Sequence, residues 1–126
     1  MKRVVSTDKA PAAIGPYSQA IWMGDLLFLS GQIPLDPVTG QLVGKTSAEQ
    51  AEQVLKNIGA ILESQGLSFR NVLKTTVFSV DLGDFADVNA VYARWFETEP
   101  PARSFVEVCG LPKGAKVEIE LIAAKG

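Results

Sequence analysis

Two amphipathic helical segments, set between strand-like runs, constrain the fold of this 126-residue chain more than any other feature. The first begins at a capping box at Thr46 or Ser47, and its apolar residues keep helical spacing until Gly66. The second is capped by Asp84 and ends before Pro100-Pro101. Both have one apolar face, so each must be buried against another element.

The remaining segments predict short β-strands, with a hairpin turn at Gly24-Asp25. Besides a short apolar start at Val4-Val5, the predicted strands cover residues 17–22, 26–30, 72–80, 102–108 and 117–124. The order β-β-α-β-α-β-β predicts an α+β fold, with one sheet of five or six strands and both helices on one face. We expect a single domain over residues 1–126.

The last predicted strand has two unlike faces. Alternation puts Val117, Ile119 and Leu121 on one face and Glu118 and Glu120 on the other. The second face mixes charges with apolar groups, and no helix remains to cover it. We therefore expect an obligate oligomer in which another subunit covers this face, with clefts between subunits.

Composition excludes several kinds of chemistry. The chain has no histidine and a single cysteine, Cys109, so it has no Ser-His-Asp triad, Cys-His dyad or His-ligated metal site. Without an adjacent activating cation, Cys109 is expected to be a buried, inert thiol, and the lone cysteine fits a reducing compartment. The glycines form no nucleotide-binding motif.

Charge and hydropathy limit the partners. Twelve Lys and Arg stand against 14 Asp and Glu, giving a net charge of −2, and the basic residues are scattered, which disfavours a nucleic-acid partner. The N-terminus lacks an apolar signal region, and no stretch approaches the roughly 18 apolar residues of a membrane span. We expect a cytoplasmic protein without membrane attachment.

Two residues stand out as chemical candidates. Arg103 begins a strand directly after Pro100-Pro101, where a rigidly held guanidinium suits capture of a small carboxylate or phosphate. The alternative is a surface or interface salt bridge. Glu118 lies in mid-strand between apolar residues, where burial would raise its pKa for general acid/base work. Its alternatives are an ion pair with Arg103 or a lysine, or simple exposure.

Four further residues are weaker candidates. Tyr17 follows Gly15-Pro16, which would aim its hydroxyl, although a half-buried ring anchoring the loop is the commoner arrangement. Asn89 is off the apolar stripe of the second helix, so it is either a polar ligand or a surface amide. The backbone at Ser30-Gly31 could bind an oxyanion, or simply form a turn.

Several segments together resemble the RidA family, the YjgF-like reactive intermediate deaminases. The resemblance runs the full length of the chain, and the segments that carry it are Gly15-Pro16-Tyr17-Ser18-Gln19-Ala20, Ser30-Gly31-Gln32-Ile33-Pro34, Pro101-Ala102-Arg103-Ser104, Leu111-Pro112-Lys113-Gly114 and Val117-Glu118-Ile119-Glu120.

The resemblance implies a chorismate-mutase-like fold, a homotrimer with active sites between subunits, and hydrolysis of 2-imino acids to 2-keto acids and ammonia. It implies that Arg103 binds the substrate carboxylate and Glu118 holds the attacking water. Tyr17, Ser30, Gly31 and Asn89 match other pocket positions. A protonated imine is already electrophilic, so no metal or cofactor is expected.

One position departs from the family pattern. Phe105 stands where some bacterial members have cysteine, so its ring would change which substrate side chain fits, while its backbone N–H could still contact substrate. The alternatives are a non-catalytic trimer that binds small carboxylates and, less favoured because of the acidic charge, an RNA-cleaving translation inhibitor. Chorismate mutase activity rests on fold analogy alone.

Overall fold

The structure is a computed structural model that describes residues 1–126, and it contains one six-stranded sheet and two α-helices. The strands are β1 (Lys2–Val5), β2 (Ala20–Met23), β3 (Leu26–Gln32), β4 (Val72–Ser79), β5 (Ala102–Glu107) and β6 (Val117–Ala124). The helices are α1 (Ser47–Ser64) and α2 (Phe85–Trp95). The predicted α+β class and order of elements are confirmed, and Val4-Val5 belongs to the additional edge strand β1.

Local sequence signals explain how α1 begins. Of the two predicted capping boxes, the structure contains the one at Thr46: Thr46 Oγ1 accepts from the Glu49 N–H at 3.1 Å, and Glu49 Oε1 accepts from the Thr46 N–H at 3.1 Å. One face of α1 is buried, with Val54, Leu55 and Ile58 fully shielded from solvent.

The predicted start of β2 was wrong, and the predicted cap of α2 differs in its hydrogen bonding. Residues 17–19 do not extend β2. The side chain of Gln19 is hydrogen-bonded to the backbone of the preceding loop, and its carbonyl accepts from the Ser30 N–H of β3 at 3.0 Å. Asp84 stands at the start of α2 but its side chain makes no capping hydrogen bond. A 3-10 turn precedes α2, and there Asp81 accepts from the Gly83 N–H.

The strand order is β1-β2-β3-β6-β4-β5. Every neighbouring pair is antiparallel except β4 and β5, so the sheet is mixed, and β5 is an edge strand that follows the α2 crossover. Both helices pack on the same face, and alternate residues of β6 complete that core: Val117, Ile119, Leu121 and Ala123.

The opposite face of the sheet has no cover within the chain. Phe28 is 41% exposed there and pairs with Ile122, beside Lys74 and Thr76 of β4. This is the mixed polar and apolar face that the sequence predicts to lie against another subunit. Neither helix has the length and apolar composition needed to cross a membrane.

Candidate active site

Arg103 and Glu118 lie on opposite faces of the sheet. Arg103 pairs with Thr75, which pairs in turn with Leu121, and both of these partners are buried on the helix-covered face. Glu118 pairs with Phe78 in the adjacent row, which faces the open side. The two side chains therefore do not meet within one chain, and an Arg103–Glu118 ion pair is ruled out there.

On the open face, the carboxyl group of Glu118 lies against a bulge in β3. Where β6 has only Glu120, β3 has two residues, Ser30 and Gly31. Such bulges bend a strand and change the direction of its side chains. A methyl group at Gly31 would lie 2.8 Å from Cδ and 3.1 Å from Cγ of Glu118. Glycine at this position therefore allows the close approach of the carboxyl group.

The Glu118 carboxyl group makes no hydrogen bond and no ion pair within the chain, since the one salt bridge joins Arg94 and Glu52. Its burial raises its pKa above the ordinary value, and the neighbouring charge of Glu120 raises it further. A carboxyl group in this state can accept a proton and return it more readily than an ordinary exposed one.

The same face contains an open cleft of about 530 Å³ beside Glu118. Tyr17, Ser30 and Gly31 line it, together with Glu120. Tyr17 is 47% exposed, and its hydroxyl accepts from the Ile14 N–H at 3.2 Å, which fixes the ring at the cleft edge. This cleft can hold a small polar molecule against a carboxyl group.

A buried glutamine holds the Tyr17 segment in place. The Oε1 atom of Gln19 accepts from the Thr7 N–H at 2.7 Å, and its Nε2 donates to the carbonyls of Thr7 and Pro11. Ser30 adds a second tie, since its hydroxyl donates to the Ser18 carbonyl at 2.6 Å. Sequence reasoning missed the role of Gln19; its position within the motif that follows Gly15-Pro16 was the available signal.

On the helix-covered face, Arg103 is held by α2. Its Nη1 donates to Oδ1 of Asn89 at 2.9 Å, so Asn89 orients the guanidinium and is not an ordinary surface amide. Arg103 makes no salt bridge, which rules out that alternative within the chain. The guanidinium carbon lies 4.7 Å from the centre of the Tyr92 ring and 5.6 Å from that of Phe85.

Tyr92 is a further part of this cluster that the sequence did not reveal. Its hydroxyl is hydrogen-bonded to Thr75 Oγ1 at 2.7 Å, and the residue is only 5% exposed. Burial raises the pKa of the Tyr92 hydroxyl, while its bond to Thr75 and the charge of Arg103 oppose that rise. Tyr92 is therefore an uncharged ring that packs against the Arg103 guanidinium. A cleft of about 300 Å³ adjoins Arg103 and Asn89.

Phe105 lies beside Arg103 rather than beside Glu118. Its ring packs edge-on against Phe85 with centroids 4.8 Å apart, and the Arg103 guanidinium is 5.5 Å from it. The prediction that Cys109 is buried was wrong: it lies in the loop after the end of β5 and is exposed. No group of three or more His, Cys, Asp or Glu side chains is arranged to hold a metal ion.

Fold and clefts together define a single-sheet α+β protein that presents an arginine cleft on one face and a carboxyl cleft on the other, each of a size for a small molecule. The family described as Endoribonuclease L-PSP matches residues 7–125. The chain belongs to this family, and its resemblance to the YjgF-like RidA proteins is confirmed.

Individual relatives are similar to this chain in sequence or structure along nearly its whole length. The human protein named 2-iminobutanoate/2-iminopropanoate deaminase is 50% identical over 126 residues, covering 100% of this chain and 92% of its own length. The YjgF gene product of E. coli has a structure with a TM-score of 0.93 and 48% identity, covering 98% of this chain and 99% of its own. E. coli TdcF, solved with bound serine, has a TM-score of 0.93 and 43% identity, with coverage of 98% and 99%.

Proposed function

We propose that this protein hydrolyses 2-imino acids, such as 2-iminobutanoate and 2-iminopropanoate, to 2-keto acids and ammonia. The observation that carries the proposal is the state of Glu118, a half-buried carboxyl group with a raised pKa and no partner, beside a cleft. The name of the 50% identical human relative supports the reaction class.

The active site is composite. Arg103 and Glu118 face away from each other within one chain, so one substrate can contact both only if the arginine cleft of one subunit meets the carboxyl cleft of another. The open face of the sheet, with Phe28 and Ile122 uncovered, is the surface that such an assembly would bury. A homotrimer, as the family resemblance implies, would contain three such sites.

Arg103 anchors the substrate. The guanidinium binds the carboxylate of the imino acid, and Asn89 together with the surrounding rings keeps the guanidinium in one orientation. The imine carbon is thereby held at a fixed distance from the opposing carboxyl group. Positioning of this kind can lower a barrier by several kcal/mol, on the order of 7–11 kcal/mol at best.

Glu118 transfers the protons. As a water oxygen forms its bond to the carbon of the protonated imine, Glu118 accepts a proton from that water. Glu118 returns that proton to the nitrogen. As the carbon–nitrogen bond breaks, Glu118 takes the proton of the newly formed hydroxyl group and passes it to the departing ammonia. One water and one protonated imine thus become one keto group and one ammonium ion, with atoms and charge balanced. General acid/base catalysis of this kind contributes about 10²–10⁴-fold.

The test of the reaction is a coupled assay. An amino-acid oxidase or dehydratase generates an imine in the presence of the purified chain, and keto-acid formation is followed after subtraction of spontaneous hydrolysis. We expect acceleration by the wild type and none by Arg103→Ala, which should keep its oligomeric state. Equal rates with and without the wild-type protein would refute the proposed activity.

Subunit mixing tests the composite site. Arg103→Ala and Glu118→Gln subunits are each inactive, but in a mixed cyclic trimer one site in three combines an intact Arg103 with an intact Glu118. Random co-assembly should therefore recover about one quarter of wild-type activity, since about three quarters of the trimers are mixed. No recovery, with mixing verified by mass spectrometry, would refute a shared site.

Binding of a small carboxylate without turnover is a second candidate, favoured by the serine bound to E. coli TdcF. Under this alternative the wild type would bind 2-ketobutyrate or serine in calorimetry, and Arg103→Ala would lose that binding, but no imine would be hydrolysed faster. The coupled assay therefore separates the two functions.

RNA cleavage is favoured only by the family description. The cleft opposes it, because Glu118 and Glu120 would repel a phosphate backbone and the chain carries a net charge of −2. Cleavage of a labelled RNA that disappears in Glu118→Gln would be needed to support this function.

A further inference from the structure

Glu120 is a second carboxylate in the cleft that contains Glu118, and the mechanism above gives it no part. The two residues are separated by one position on β6, so their side chains leave the same face of the sheet. Their Cα atoms are about 7 Å apart, twice the rise per residue of a strand. Both side chains line the same cleft.

The two carboxylates have different surroundings. Glu118 is half-buried and rests against Gly31, whereas Glu120 is exposed and faces the bulge formed by Ser30 and Gly31. Glu120 pairs across the sheet with Thr76 of β4, which carries no charge. Within one chain, only solvent on the exposed side of Glu120 reduces the repulsion between the two carboxylates. In the composite site, Arg103 of the neighbouring subunit would also face Glu118.

Neither carboxylate forms a salt bridge within the chain, including with Lys116, which lies two residues before Glu118. Lys74, opposite Ile122, is the only basic residue of β3, β4 and β6, and it forms no salt bridge. Two loops border the cleft. The loop before β2 contributes the titratable Tyr17. The loop before β6 contains Lys113, whose ammonium group donates to the Gly40 carbonyl at 3.4 Å. Phe78, which pairs with Glu118, adds no charge.

We propose that Glu120 is a positioning residue for the reaction, whose negative charge favours the protonated form of the Glu118 carboxyl group. Such a group holds the proton taken from water long enough to pass it to the leaving nitrogen. The proposal rests on the proposed function. The charge of Glu120 supports it, because that charge raises the Glu118 pKa beyond the larger rise that burial causes.

The expected effect is measurable without turnover. If the two charges are about as far apart as the Cα atoms, about 7 Å, they interact enough, even at the dielectric constant of water, to change a protonation equilibrium by about threefold. In Glu120→Gln, the Glu118 carboxyl group should therefore lose its proton at lower pH. In the coupled assay, the ratio of kcat at about pH 5 to kcat at about pH 8 should rise, by at most about threefold, if deprotonated Glu118 limits the rate.

The experiment is a carboxyl titration by NMR of protein labelled with ¹³C at glutamate side chains, with Glu118→Gln identifying the Glu118 signal. We expect the Glu118 midpoint to fall in Glu120→Gln and to be retained in Glu120→Asp. Glu63→Gln is the matched control, because it removes one exposed negative charge from α1, remote from the cleft, and should change nothing.

Salt provides a readout that a purely structural role would not affect. Between about 0.02 M and about 1 M salt, the difference between wild type and Glu120→Gln should shrink, since exposed charges are screened. The wild-type midpoint alone should also fall with salt, which tests the proposal even if the variant does not fold. An equal midpoint in wild type and Glu120→Gln, or a salt-independent wild-type midpoint, would overturn the role of Glu120. A wild type that titrates as expected but hydrolyses no imine would instead refute the proposed function.

Discussion

Replacing Gly31 with alanine tests how closely the Glu118 carboxyl group must be positioned. The added methyl group would lie 2.8 Å from Cδ of Glu118, whereas ordinary van der Waals contacts begin near 3.4 Å. Oε2 of Glu118 would be closer still, so the carboxyl group must move by about 1 Å. Gly31 does not have a positive φ, so the substitution adds no backbone strain.

We expect Gly31→Ala to fold and to lose activity. The group that must move is the far end of a flexible side chain, so the melting temperature should change little. A displacement approaching 1 Å at the reacting atoms costs on the order of 10²-fold in rate. Through transition-state arithmetic this is about 2.7 kcal/mol of barrier. The coupled imine assay measures the loss, and thermal unfolding followed by circular dichroism checks the fold.

Gly110→Ala is the matched control. Gly110 also lacks a positive φ, and a methyl group added there would meet no atom within 4 Å. It should therefore retain wild-type activity and stability. Wild-type kcat/KM in Gly31→Ala would show that the position of the Glu118 carboxyl group does not limit the reaction.

Further predictions concern the same two clefts. Glu118→Gln should still bind a 2-keto acid in calorimetry while losing turnover by about 10²–10⁴-fold; lost binding would indicate a structural role. Because the pKa of Glu118 is raised in the folded state, its ionisation opposes folding as pH rises through that pKa. Glu118→Gln should thus raise the melting temperature at about pH 8 but not at about pH 3, where both forms are neutral, and a gain confined to acid pH would contradict the sign. Asn89→Ala removes a hydrogen bond to a charged group, so keto-acid affinity should fall about tenfold, and unchanged affinity would mean that the rings alone orient Arg103.

Much of the fold could be predicted from local sequence patterns. The capping box at Thr46 and the helical spacing that follows it define α1, because both signals act within a few turns of the chain. The alternation along β6 predicted both the buried row and the mixed open face, because the strand period depends on backbone geometry alone. The boundary before β2 was missed, since the Gln19 side chain ties this segment to residues 7–11 through hydrogen bonds that no local pattern reveals.

The candidate residues could also be identified from the sequence, but which of them lie on the same face of the sheet could not. Motif resemblance selected Arg103 and Glu118, and nothing local shows that they leave opposite faces of the sheet. That separation depends on β4 pairing with β5 on one side and β6 on the other, a choice made by contacts between distant segments. The Asn89–Arg103 bond depends in the same way on how α2 docks against β5.

The sequence alone thus determined the helices and strands, the sheet face that no helix covers and the absence of histidine, because these follow from composition and short-range periodicity. Tertiary structure decided that the carboxyl group of Glu118 rests on a bulge at Gly31 and that Arg103 is held by Asn89 among three rings. The register of long-range strand pairing fixes both arrangements, and a shift by one residue would exchange the faces.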